Sequence, residues 1–290
     1  MTLEQRSAIL IEALPYIQKF RGHTFIIKYG GAAMEDKVVV ERFLRDIVML
    51  EAIGINPVIV HGGGKAITSR MKDAGIEARF VNGLRVTCGE SVKIVESVLD
   101  REVNADIVGT IKEYGGHAVG FSGKNVFVAQ KLPPQPNENG DLEDIGYVGE
   151  AVAIHEEIVR CIVRCEEIPV ISPIGAAPDG QVFNINADLA AAALASQLKA
   201  TKLIYASDVV GIMRDHKRPE TLISSIGVGQ IDSLIADQTV SGGMIPKLRS
   251  AAAAIRSGVQ KVHMIGGHLP HCLLLEIFSN AGIGTEIVGE

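Results

Sequence analysis

The residues best suited to chemistry in this chain sit on or beside glycine turns. Lys28 lies near the end of the apolar run TFIIKY, 24–29, and Gly30 and Gly31 follow it. A second run, PVIVH at 57–61, ends in His61 and then Gly62, Gly63 and Gly64. A third turn, SGGMIPKL at 241–248, carries Lys247. Three consecutive glycines are an entropically costly way to make an ordinary turn, so something must come close to that backbone. Glycines at a strand's carboxyl end, opening onto a helix, present N–H groups and a positive dipole end to an anion. Two such loops on neighbouring parallel strands would face one crevice. The alternative is a role in tight-turn packing. Two common phosphate fingerprints fail: G-x-x-x-x-G-K-[ST] meets Ala66 after Lys65, and G-x-G-x-x-G meets Ile67 where a small residue is required.

Other segments add candidates. NGLRVT, 82–87, places Arg85 in a short polar stretch, where a guanidinium suits bidentate capture of a carboxylate. The alternative for Arg85 is a surface ion pair. FNINAD, 183–188, puts Asn184, Asn186 and Asp188 at alternating positions just before a helix. Taken alone, Asp188 reads as the cap of that helix. ASDVVGI, 206–212, ends a strand in Ser207 and Asp208, with Gly211 following. His61 reads as a structural residue at a strand end rather than an acid–base group.

Strands and helices must bring these side chains together, and their order is legible. Leu10, Ala13, Leu14 and Ile17 fall at helical spacing, which predicts an amphipathic helix over 3–20. Strands are expected at 24–29, 57–61, 117–121, 169–172, 202–207 and 261–265. Helices are expected at 38–53, near 90–113, at 154–164 and 187–198, from about 243 to 257, and near 271–278. APDGQVFN, 177–184, reads as a hairpin turn, and KLPPQPNENGDLED, 131–144, as an exposed excursion. Strand–helix alternation predicts an α/β fold with a mostly parallel central sheet between helices. If there are two lobes, their seam is expected near 175–200.

Bulk properties narrow the function. The 290 residues are 47% hydrophobic and 21% charged, ample for a large core. A net charge of -6 without a dense basic block argues against nucleic acid and anionic membranes as partners. Aromatics at 4%, with no Trp, leave little for base stacking. The longest apolar run, LAAAALA at 189–195, is too short to span a bilayer. Cys88, Cys161, Cys165 and Cys272 are scattered. Cys161 and Cys165 are one helical turn apart, half of a metal site, but all four are expected as structural buried thiols. Free thiols without a secretory signal point to a reducing, cytoplasmic setting.

The blocks IIKYGG, VIVHGGG, NGLRVT, FNINAD and GGMIPK occur in that order across residues 26–248. Together they resemble the amino acid kinase family, and NGLRVT with NINAD is similar to its N-acetylglutamate kinase branch. The resemblance implies ATP- and Mg²⁺-dependent phosphorylation of the side-chain carboxylate of N-acetyl-L-glutamate, in arginine biosynthesis. By motif, Gly63, Gly64, Arg85 and Asn184 would bind acetylglutamate. Lys28 and Lys247 would stabilise the transferring phosphoryl group, and Asp188 would hold both lysines. Asp208, Val209, Val210, Gly211, Ile212 and Met213, with Thr239, Val240 and Ser241, would line the nucleotide. Gly30 and Gly31 would approach its phosphates. An N-lobe of about 21–180 would bind acetylglutamate, and a C-lobe of about 181–290 would bind ATP. A carboxylate nucleophile is already ionised at neutral pH, so no general base is required.

The ends of the chain resemble the arginine-sensitive branch. There the N-terminal helix, here 1–20, interlaces with a neighbour's to build a homohexamer as a trimer of dimers, whereas members without it are dimers. The tail 268–288 resembles the region beside which such members bind arginine. Tyr16, Lys217, His268, Glu276 and Gly284 are the contacts implied for an L-arginine effector. Photosynthetic members also bind a PII signal protein, a partner that the residues of this chain leave undecided. Alternatives are another kinase of the family, such as glutamate 5-kinase, or a non-catalytic amino-acid sensor on the same fold.

Overall fold

A computed structural model describes residues 2–34, 36–137, 139–215, 217–279 and 282–289; Glu138 of the expected excursion and Asn280 and Ala281 of the tail lie outside them. Helix α1 (Leu3–Phe20) precedes strand β1 (Thr24–Tyr29). Next come α2 (Lys37–Ala52), β2 (Asn56–His61) and α3 (Gly64–Asp73). The short hairpin of β3 (Phe80–Val81) and β4 (Leu84–Arg85) leads into α4 (Gly89–Ser97) and α5 (Asn104–Glu113). A π-helical segment, Val98–Val103, joins those two helices, so the single long helix expected near 90–113 has a wider turn in its middle. Then follow β5 (Ala118–Phe121), β6 (Phe127–Lys131), a small hairpin of β7 (Gln135–Pro136) and β8 (Leu142–Glu143), and β9 (Val148–Ile154). Helix α6 (Glu156–Arg164), β10 (Ile168–Ile171), β11 (Ile174–Ala176) and β12 (Val182–Ile185) come after. The remainder is α7 (Ala187–Leu198), β13 (Lys202–Ser207), β14 (Ser225–Gly227), α8 (Ile231–Ala236), α9 (Met244–Arg256), β15 (Lys261–Gly266), α10 (Cys272–Ile277) and β16 (Thr285–Val288).

An eight-stranded sheet runs through the molecule in the order β14-β16-β15-β13-β1-β2-β10-β5. Only the β15–β16 pair is antiparallel; the other pairings in this sheet are parallel. Its central strands are apolar and bury both faces, the pattern of a parallel sheet covered on two sides. Ile26 of β1 and Val58 and Val60 of β2 join the core under α7 and α9. Phe25 and Ile27 of β1 and Ile59 of β2 point the other way, into the core under α2, α5 and α10. The fold is therefore an αβα sandwich, as the alternation predicts.

Four features depart from the expectations. Residues 148–154 are strand, so α6 begins at Glu156 and not at 154. The strand joins β6, β11 and β12 in a small closed barrel that the chain's periodicity does not announce. The Glu- and Ala-rich stretch around 150–157 looks helical by composition. The hairpin expected at 177–184 is present as the antiparallel pair β11–β12. Cys88, Cys161 and Cys165 are exposed and only Cys272 is buried, which corrects the expectation of four structural thiols. Strands β14 and β16 add to the edge of the sheet beyond the six strands that the sequence predicts. Among the described residues, no helix is long and apolar enough to cross a membrane.

His61, at the end of β2, is a core residue. It is fully buried; its Nδ1 lies 2.8 Å from the Gly62 carbonyl and its Nε2 3.2 Å from Asn104 Nδ2. Asn104 also donates to the Val170 carbonyl at 2.9 Å, tying α5 to β10. That network puts the proton on Nδ1 and keeps the ring neutral. Burial pushes the imidazole down to about 4. A histidine whose folded value lies below its unfolded one stabilises the fold fully above pH about 6.5 and loses that contribution as the pH falls toward 4. Urea titrations at a series of pH values should show about 3 kcal/mol of stability lost across that window through this residue. A His61→Gln variant should show a correspondingly shallower acid slope.

Candidate active site

The glycine turns open at the carboxyl ends of adjacent parallel strands. β1 and β2 pair in register, with Tyr29 opposite His61, so Gly30–Gly31 and Gly62–Gly64 emerge side by side. A Cβ built on Gly30 would lie 3.6 Å from the Gly62 Cα and 3.0 Å from Lys28 Nζ. Gly31 has φ +69, a left-handed conformation that favours glycine. Gly63 faces a different constraint: a Cβ there would come within 2.6 Å of Leu99 Cδ2, on the π-helical segment. β13, on the other side of β1, delivers Ser207 and Asp208 to the same edge. Ligands of open parallel sheets bind at such an edge, where the strand order reverses.

Lys28, Asp188 and Lys247 converge there from three elements. Lys28 Nζ lies 3.0 Å from Asp188 Oδ1, and Lys247 Nζ lies 3.7 Å from Asp188 Oδ2. Their side chains are 11%, 19% and 13% exposed, so water screens the pairs poorly. Burial alone would raise the Asp188 carboxyl; the two ammonium groups outweigh it and hold the group below the usual carboxylate range. Asp188 does not cap α7. Asn186 does, its side chain accepting from Asp188 N at 2.9 Å and Leu189 N at 3.2 Å. Both residues satisfy the sequence rule for a cap, and the structure assigns the cap to Asn186, leaving the carboxylate free for the lysines.

Two hollows flank this trio. The larger, about 400 Å³, is lined by Asp208, Val209, Gly211, Ile212, Thr239, Val240, Ser241 and Lys247, together with Gly243 and Met244, which were not anticipated. Val210 and Met213, both expected in the nucleotide lining, stand outside it. Val210 packs beside Gly266, and Met213 pairs with Leu222 across a β-bridge. The smaller hollow, about 150 Å³, is lined by Gly62, Gly63, Gly64, Arg85 and Asn184. Of its apolar wall of Ile67, Phe80, Leu84, Leu99, Val148 and Pro173, only Leu84 belongs to a motif, NGLRVT. Asn186 and Ala187 also line it, placing the start of α7 between the two hollows.

Arg85 is buried, which sets aside a surface ion pair. Its Nη2 donates to the Gly64 carbonyl and to Thr68 Oγ1, each at 2.8 Å, and its guanidinium lies 4.7 Å from the centre of the Phe80 ring. Burial lowers its pKa, yet a guanidinium keeps its charge in proteins. Asn184 Nδ2 is 3.4 Å from Thr87 Oγ1. A fixed cation, a glycine backbone and an apolar wall suit a small anion with a short apolar part.

Of the residues implied for an effector, the structure joins Glu276 to Gly284 and sets Tyr16 against Phe278 of the same tail. Tyr16 packs edge-on against Phe278 at 6.0 Å, tying α1 to the tail. Glu276 is buried, meets His263 Nδ1 at 2.5 Å, and accepts from Ile283 N and Gly284 N. Lys217 sits on an exposed loop, its backbone N–H donating to Asp215 Oδ1, and His268 is exposed beside Gly266.

The chain belongs to the amino acid kinase family, whose profile matches residues 23–266. Within that family it is similar to acetylglutamate kinases over nearly its whole length. That of Akkermansia muciniphila is 50% identical over 289 residues, covering 99% of this chain and 97% of the relative. That of Methanocaldococcus jannaschii is 46% identical over 288 residues, covering 98% and 96%. Among solved structures, N-acetylglutamate synthase from Neisseria gonorrhoeae, complexed with coenzyme A and N-acetylglutamate, has a TM-score of 0.86 and 26% identity over 98% of this chain. The chain spans 63% of that synthase's length.

The geometry separates the two capping candidates by energy. Asn186→Ala removes a helix cap and should cost about 1 kcal/mol. Asp188→Ala strands two poorly solvated ammonium groups and should cost about 3–5 kcal/mol. Denaturant titrations giving equal losses would contradict the assignment of Asp188 as counter-ion.

Proposed function

We propose that this chain transfers the γ-phosphoryl group of ATP to the side-chain carboxylate of N-acetyl-L-glutamate, a step of arginine biosynthesis. The observation that carries the reading is the convergence of Lys28 and Lys247 on one carboxylate between two hollows. The larger hollow takes the nucleotide, with Gly30 and Gly31 beside its phosphates. The smaller takes acetylglutamate, with Arg85 and Asn184 holding it and Gly63 and Gly64 leaving room for its reacting end. A carboxylate oxygen forms the new bond to phosphorus as the bond to the bridging oxygen of ADP breaks. The protein's task is to align two anions and neutralise the charge spread over the equatorial oxygens. At about 4 Å and an effective dielectric near 20, each opposed charge is worth roughly 4 kcal/mol of Coulomb energy before desolvation.

Magnesium belongs to the proposal as a charge-neutralising ion on the nucleotide. Among the described residues, no group of three or more His, Cys, Asp or Glu could hold a metal ion, and Asp208 is the carboxylate lining the larger hollow. That donor set suits a cation held mainly by phosphate oxygens and water.

Feedback by arginine and hexamer formation extend the same reading. Leu10, Ile11 and Leu14 of α1 are 71%, 66% and 43% exposed, an apolar face suited to the same helix of a second copy. The Tyr16–Phe278 contact links that helix to the segment holding Glu276 and Gly284. A PII signal protein is a further partner, proposed on resemblance alone. A cytoplasmic setting fits the three exposed free thiols.

The test is ATP turnover with acetylated and free glutamate as acceptors, the acyl phosphate being trapped with hydroxylamine. A preference for acetylglutamate is expected, and a preference for the free amino acid would overturn the acceptor. Lys28→Ala and Lys247→Ala should each lower kcat by about 10²-fold or more while the fold is kept; near-normal kcat in either refutes its role. Deleting residues 1–20 should reduce the assembly to dimers in light scattering and weaken inhibition by arginine, and an unchanged hexamer would count against the helix.

A further inference from the structure

Behind the ion trio lies a buried polar contact that the phosphoryl-transfer chemistry does not use. Tyr205, on β13, is fully buried, and its hydroxyl lies 2.9 Å from Ser250 Oγ on α9. Ser250 Oγ donates to the carbonyl of Lys247 at 2.8 Å. The Tyr205 hydroxyl also lies 3.4 Å from the carbonyl of Asp188. With the serine proton committed to Lys247, the phenol donates to Ser250, and the Asp188 carbonyl is its second, longer acceptor. Two hydroxyls inside an otherwise apolar core are therefore joined to the main-chain carbonyls of both the aspartate and one lysine of the trio.

The placement is not a general requirement of the sheet. On this face Tyr205 has aliphatic neighbours along its own strand and on β15, Leu203, Val262 and Met264, while its in-register neighbour on β1 is Lys28, with Ile26 two residues before it. An aliphatic residue would fill that space without a buried hydroxyl to satisfy. Ser250 likewise sits where α9 packs on α7, beside Ala251, Ala252 and Ala254. Burial first, and then the Asp188 charge, raise the phenol far above its usual range, so it stays a neutral donor at every working pH.

We infer that Tyr205 and Ser250 are positioning residues that fix the first turns of α7 and α9 relative to each other, and so set the spacing of Asp188 and Lys247. The 3.7 Å contact of Lys247 with Asp188 is looser than the 3.0 Å contact of Lys28, which makes Lys247 the arm more dependent on where its helix sits. Small displacements of a charge-stabilising group are costly in reaction rate, whereas ground-state binding of the acceptor in the smaller hollow depends on other residues. The inference rests on the proposed phosphoryl transfer for its kinetic consequence, but not for its structural one.

The experiment compares Tyr205→Phe, Ser250→Ala and the double variant. Acetylglutamate-dependent turnover should fall about tenfold in kcat in each single variant, with KM for acetylglutamate unchanged. The double variant should be no slower than the slower single one, because both substitutions break one linkage. Hydrogen exchange needs no turnover: amides in the first turns of α7 and α9 should exchange about fivefold faster in Tyr205→Phe, as expected for one lost hydrogen bond. A full kcat in either single variant, a change in KM in place of kcat, additive losses in the double variant, or unchanged exchange would each overturn the clamp. If the unaltered protein fails to phosphorylate acetylglutamate, the proposed acceptor falls, and the exchange measurement still decides the clamp.

Discussion

The site depends on one electrostatic arrangement: a single buried carboxylate facing two ammonium groups. Asp188 lies between the two, 3.0 Å from the Lys28 nitrogen and 3.7 Å from that of Lys247, and sets the line between them. The trio carries a net positive charge before any substrate arrives. That surplus is what a nucleotide's terminal phosphate and a carboxylate would meet, in a setting where charges attract more strongly than in water. An isolated ion pair would have cancelled itself. The second lysine leaves a structural salt bridge with a surplus positive charge, as the proposed anion site requires.

The sheet explains how three distant segments reach that point. β1 lies between β2 and β13, so the loops after all three strands share one edge. Lys28 comes from β1 itself, Asp188 from the first turn of α7 and Lys247 from the first turn of α9. Glycines at the turns keep the backbone low, and the capping of α7 by Asn186 leaves the next carboxylate unspent on its own helix. The π-helical segment between α4 and α5 presses Leu99 against Gly63 and so shapes the smaller hollow. Wide turns of this kind recur at functional sites.

How far the sequence could be read depended on the range of each signal. The central strands were legible because strands buried on both faces are continuous apolar runs, and the glycine turns sit directly after them. Lys28, Arg85 and Asp208 could be picked out as neighbours of those turns. The role of Asp188 could not be read from its own segment, since Asn186 and Asp188 both look like caps and only their surroundings tell them apart. Resemblance across five blocks supplied what local physics could not. The barrel of β6, β9, β11 and β12 escaped because the stretch that ends β9 looks helical by composition and β6 pairs with β9 across an intervening hairpin. The apolar wall of the smaller hollow escaped for a similar reason: Ile67, Leu99, Val148 and Pro173 look like any core residues until the fold brings them to one place. The cysteines were misjudged because a thiol's burial depends on which helix face packs inward, and at Cys161 and Cys165 it is the outer one.

The central claim is that the lysine pair embraces the phosphoryl group in flight. A crystal structure with a non-hydrolysable ATP analogue and acetylglutamate measures this directly, as the distance from the terminal phosphorus to each ammonium nitrogen. The account predicts both within about 4 Å, the range at which opposed charges in a poorly hydrated site interact strongly. A terminal phosphate more than about 8 Å, roughly a Debye length, from both Lys28 and Lys247 would contradict it.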